Sequence, residues 1–165
     1  MWLRRSLVLL ALVTTACKEP GDTQLPIDST DLGAKNGVAE LTSPDQSYRL
    51  ILPGRWAGLI RADTLSAVER GTARPGAMNI VYLPRDSSII PQTLVVVAVY
   101  DSAAWLKVKA DGGPPPGDSV LSKNGRVYVL ALPQSNPFTP GSIDAVKFDS
   151  LALKPTDSAT LIRVP

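Results

Sequence analysis

The chain has 165 residues, 17 Lys and Arg against 15 Asp and Glu for a formal net charge of +2, a single cysteine and no histidine. A near-neutral balance lacks the basic excess with which nucleic-acid binders neutralise phosphates, so nucleic acid is excluded as a partner. The missing histidine removes the usual general base of Ser and Cys hydrolases and the common zinc ligand, and one cysteine allows no internal disulfide.

The amino terminus reads as an address. Arg4 and Arg5 form a positive start, residues 7–13 an apolar stretch, and Thr14, Thr15 and Ala16 a run of small residues before Cys17, which is the three-zone plan of a secretory signal peptide. The apolar stretch is well short of the ~20 residues that carry a helix across a hydrocarbon core. Val13-Thr14-Thr15-Ala16-Cys17 resembles the lipobox of bacterial lipoproteins, with Thr14 where leucine is usual. That resemblance implies removal of residues 1–16, a palmitate-type acyl group on Cys17 and attachment to a membrane of the cell envelope. Lys18 follows the cysteine in place of the aspartate that marks inner-membrane retention, so the outer membrane is favoured in a Gram-negative cell. The alternative is an ordinary signal peptide cut near a buried free thiol. An exposed lone thiol is a liability in an oxidising compartment, and acylation removes that liability.

Cleavage also removes the net charge, because Arg4 and Arg5 are the only charged residues of the leader. Residues 17–44 then carry an acidic excess from Glu19, Asp22, Asp28, Asp31 and Glu40 over Lys18 and Lys35. This stretch is rich in Thr, Asp, Gly and Pro without apolar periodicity, which predicts a flexible tether with a root-mean-square span of about 30 Å. Residues 45–165 form one domain of ordinary size.

Within the domain, alternation from residue 48 to 53 predicts a strand with Tyr48, Leu50 and Leu52 on one face, ended by Pro53-Gly54. Extended chain over residues 57–68 follows, with helix as the alternative around 65–70, before the breaker run from Gly71 to Gly76. Strands are predicted over 78–83 and 93–100. The second has an unbroken apolar run from Leu94 to Tyr100, the mark of a strand covered on both faces. Asp101 predicts an N-cap for a short helix through Lys109 that carries Trp105. Asn124-Gly125 predicts a type I′ turn in a β-hairpin over 120–130. Ser142 and Asp144 open a second helix through Leu153, although Val146 and Phe148 also fit strand alternation, and residues 161–164 suit an edge strand.

These elements predict an α+β fold: a mainly antiparallel sheet with near-sequential strands and one or two short helices packed on one face. Tyr48-x-Leu50-x-Leu52-Pro53-x-x-Trp56, the apolar strand before the helix of Trp105, and Asn136-Pro137-Phe138 together resemble small secreted bacterial domains, distantly similar to PsbP-like folds. The resemblance bears on fold, and fold does not fix function.

No residue set carries recognisable catalysis. A serine–lysine dyad would draw on Ser122 with Lys123, or on Ser87 or Ser88, but Ser122 and Lys123 are adjacent on a strand and point to opposite faces, so surface polar residues beside a turn are the better reading. Asp144 and Asp149 lie well around a helix from each other, so glycosidase-like carboxylate pairing is disfavoured. Asp111-Gly112-Gly113 offers one carboxylate, too few for calcium, and no phosphate-binding glycine loop follows a strand. No metal or cofactor is expected. Trp56 and Trp105 suit either core packing or a ligand surface, and Phe138 either a loop anchor or a docking knob. The expectation is a lipid-anchored envelope protein without catalysis that binds a protein partner or assists an assembly. A binder of a small apolar ligand is the alternative, and a histidine-free hydrolase ranks below both.

Overall fold

A computed structural model describes residues 24–25, 39–154, 157 and 160–165. The expected signal sequence, Cys17 and most of the expected tether lie outside the described residues. The elements in chain order are β1 (Gln24–Leu25), β2 (Ala39–Thr42), β3 (Arg49–Leu52), a 3₁₀ turn (Gly54–Trp56), β4 (Ile60–Thr64), α1 (Ala67–Arg70), β5 (Met78–Tyr82), β6 (Gln92–Asp101), α2 (Ser102–Ala110), β7 (Asp118–Lys123), β8 (Arg126–Ala131), α3 (Ile143–Leu151) and β9 (Ile162–Arg163). The strands form two antiparallel sheets, ordered β1-β4-β5-β6-β8-β7 and β2-β3-β9, so the fold is α+β.

The two sheets share one core. Leu50 and Leu52 of the smaller sheet, with Tyr48 just before β3, share a core with Ile80, Val95, Val97, Val99 and Tyr128 of the larger one, and full burial of each aliphatic side chain is worth about 1.5–3 kcal/mol. Residues alternating with these on β6 and β8, Ala98, Tyr100, Val127 and Val129, form a second cluster with Trp105 of α2. The unbroken apolar run of β6 is therefore covered on both faces, as its composition predicts. The longer helices serve different clusters: α2 covers the second, while Phe148 and Leu151 of α3 join the first.

Two bulges adjust the alternation. The β5–β6 register steps from Ile80↔Val95 to Val81↔Thr93, leaving Leu94 as the extra residue, and Leu94 and Val95 both reach the main core. The β7–β8 register steps from Ser119↔Val129 to Leu121↔Tyr128, and Val120 and Leu121 both pack against the same core. An inserted residue turns two consecutive side chains toward one face, which the period of a regular strand forbids.

Local chemistry explains the differences from the sequence reading. Composition assigns residues 17–44 to the tether, yet Ala39–Thr42 pairs with β3 in register from Ala39↔Leu52 to Thr42↔Arg49. Leu41 packs on the core while Glu40, on the opposite face, lies 3.5 Å from Arg49 and 3.8 Å from Arg163. A strand this short is hidden by its polar surroundings. The extended stretch predicted over 57–68 is shorter, ending at Thr64, because Ser66 and Glu69 form a capping box that starts α1. Asp101 occupies the N-cap position of α2 but makes no side-chain cap bond; its Oδ1 instead accepts from Arg74 Nη1 at 2.8 Å. Ser142 does cap α3, accepting from the Ala145 amide at 3.1 Å. The hairpin turn has Asn124 and Gly125 at φ values of 53° and 72°, as its two residues predict.

Candidate functional site, an apolar groove beside the third helix

The site is built where the β4–β5 corner meets the first turns of α3. Leu83 donates its amide to the Leu59 carbonyl at 2.9 Å, and Leu59 donates to the Trp56 carbonyl at 3.0 Å, which closes the corner's backbone. Behind it Trp56 is 1% exposed, and its indole Nε1 donates to the Leu151 carbonyl at 2.8 Å. That bond satisfies one of the carbonyls a helix leaves free at its C-terminus and ties α3 to the corner.

Asp144 joins the other end of α3 to β5. Its Oδ1 accepts from the Tyr82 hydroxyl at 2.6 Å and from the Arg85 amide at 3.0 Å. Hydrogen bonding by Tyr82, and then by Arg85, holds the Asp144 carboxyl below the usual carboxylate range. Burial and the bond to this carboxylate push the Tyr82 hydroxyl up to about 12, so it stays a donor. Phe138 packs edge-on against Tyr82 and Phe148 at centroid distances of 5.6 and 5.5 Å. Asn136 fixes the same segment by donating to the Ala145 carbonyl and to Asp149 Oδ1, each at 2.8 Å.

Between these supports lies a groove of about 840 Å³. Leu59, Leu83 and Pro84 line one wall, and Ile143 and Val146 of α3 the other. Ile143 and Val146 are 67% and 64% exposed, large values for β-branched apolar side chains on a helix. Arg85 and Lys147 are exposed at the lining, whereas its acidic member, Asp144, is only 8% exposed and accepts from the Tyr82 hydroxyl. Among the described residues no ion pair engages Arg85 or Lys147.

The residues singled out from sequence are dispersed. Trp56 belongs to the main core and Trp105, 7% exposed, to the second cluster, where it tilts against Tyr100 at 5.3 Å. Phe138 is half-buried and anchors its loop beneath the groove. The three do not share a surface, and neither tryptophan lines the groove. Lys123 Nζ donates to the main-chain oxygens of Val164 and Pro165. Asp144 and Asp149 have separate partners, Tyr82 and Asn136. Among the described residues no cluster of three or more His, Cys, Asp or Glu could hold a metal ion, and no helix is long and apolar enough to cross a membrane.

Sequence reading missed Ile143, Val146, Leu59 and Leu83. A signal existed in α3: Ala145, Phe148 and Leu151 make one apolar stripe at helical spacing, and Ile143 with Val146 makes a second pair, three residues apart, off that stripe. One stripe packs on the core; the second is surplus to it. No protein-family model matches the chain, and no curated protein or solved structure shows significant similarity to it.

Proposed function

We propose that the chain is a lipid-anchored protein of the bacterial cell envelope that docks a partner protein in the groove beside α3 and performs no chemistry itself. One observation carries the docking: Ile143 and Val146 stand exposed on a helix whose core-facing stripe is already complete. Apolar side chains that together line one groove and are left in water mark a surface that another molecule covers, whereas a single exposed one does not. An open groove suits a partner that brings its own surface to cover the rim, whereas a small ligand is usually enclosed over most of its area. The anchor rests on the lipobox-like Val13-Thr14-Thr15-Ala16-Cys17. Lipid on Cys17 would hold the domain near a membrane, and the tether would set how far it reaches.

Two experiments test this. Cells fed labelled palmitate should label the wild type and not Cys17→Ser; equal labelling of both would remove the anchor. Wild type purified from native membranes should retain a defined partner that Val146→Glu loses at unchanged thermal midpoint. Equal recovery by both proteins would remove the docking site.

The groove's size favours a second reading, since about 840 Å³ falls within the range of small-molecule sites. In that case an environment-sensitive apolar dye should bind the purified protein and be displaced by Val146→Glu. Absence of any dye response would discard it.

A further inference from the structure

Resting on the docking reading, we infer that the groove beside α3 recognises an acidic, apolar segment of its partner, with aliphatic or aromatic side chains in the groove and carboxylates at Arg85 and Lys147. Charge placement carries this. Arg85 and Lys147 are exposed at the lining, whereas Asp144 is buried and its Oδ1 is engaged by the Tyr82 hydroxyl and the Arg85 amide. Among the lining residues two exposed cations therefore outnumber the single carboxylate over an apolar floor, with exposed Asp86 next to Arg85 outside the lining. An occupant bearing lysine or arginine there would face like charge, which disfavours association and slows encounter.

The backbone narrows the mode of recognition. Leu83 already donates to Leu59, so the backbone between these two groove residues is paired within the chain and is not free for a partner. Recognition falls to side chains, and Ile143, Val146 and Lys147 occupy one side of α3 at spacings of three and four. A segment with apolar residues in the same rhythm and an acidic residue beside them would meet all three.

The test is selection from a random dodecapeptide display library on the full chain in detergent, with Val146→Glu for counter-selection and Val68→Glu as a surface control away from the groove. Enriched peptides should combine large apolar residues with Asp or Glu and contain little Lys or Arg. Their affinity, read by fluorescence anisotropy, should fall about tenfold or more in both Val146→Glu and Lys147→Glu, weaken with added salt, and be unchanged in Val68→Glu. Peptides that are apolar but not acidic, lost in Val146→Glu yet unaffected by Lys147→Glu, would overturn the acidic preference and leave the groove as a docking site. No enrichment over Val146→Glu would overturn both. Retention of phosphatidylglycerol vesicles through Val146 and Lys147, without peptide enrichment, would assign the groove to a lipid surface and overturn the inference.

Discussion

The Tyr82 hydroxyl donates to Oδ1 of Asp144 at 2.6 Å, joining the end of β5 to the first turn of α3 across 62 residues of sequence. The bond fixes one wall of the groove against the other. Because Tyr82 and the Arg85 amide favour the charged carboxylate, the folded state binds a proton there less readily than the unfolded chain. The stabilisation is complete above the ordinary carboxylate value of about 4. It is lost as pH falls through the lower, folded value. Asp157, bonded by Arg55, acts in the same direction. So does Asp45, where burial opposes ionisation but hydrogen bonds from Ser47 and Ser43 outweigh it. Thermal melts across the acid range should show the wild-type midpoint falling with pH. Asp144→Asn and Tyr82→Phe should melt a few degrees lower at neutral pH and lose less on acidification. Parallel curves for wild type and both variants would show that this bond contributes no pH dependence.

Two buried tyrosines that meet edge-on at 5.9 Å should respond differently to loss of their hydroxyls. Tyr48 donates to the Gly76 carbonyl at 2.7 Å, whereas the Tyr128 hydroxyl has no hydrogen-bond partner among the described residues. Tyr48→Phe strands a buried carbonyl and should cost about 1–3 kcal/mol in urea unfolding. Tyr128→Phe removes a hydroxyl that is desolvated without return and should be neutral or stabilising by up to about 1 kcal/mol. The reverse order would mean that the Gly76 contact does not hold in solution.

Glycines in the loop between α2 and β7 make a second contrast. A methyl group at Gly117 would collide with the Leu130 carbonyl and the Ala131 amide, both backbone, while one at Gly113 meets nothing within 4 Å. Gly117→Ala should therefore destabilise by about 1–3 kcal/mol through displacement of the β7–β8 pairing. Gly113→Ala should change stability by less than about 0.5 kcal/mol. Equal effects in chemical denaturation would contradict this account of the hairpin edge.

Much of the fold was legible because its signals are local. Tyr48, Leu50 and Leu52 alternate, Asn124-Gly125 sets its own turn, and Ser142 caps the helix it precedes. The site was not legible, because its parts are made by distant pairings. Asp144 reads as favourable charge at a helix start, but its partner is Tyr82 on another element. Asp101 reads as a cap, but Arg74 reaches its carboxylate first. Val146 and Phe148 are both apolar and both also fit strand alternation, and only the packing of Phe148 and Leu151 shows that the inward stripe is filled without Val146. Trp56 and Trp105 attract notice as large aromatics, yet burial commits them to two different clusters.

The central claim is that the groove beside α3 is occupied in the cell. A photoreactive amino acid placed at Val146 and activated in intact cells tests it most directly, with Val68, 90% exposed on α1, as the control position. The account predicts a discrete crosslinked product from position 146 that disappears when Lys147→Glu is added, and none from position 68. No product at 146, or the same products at both positions, would contradict it.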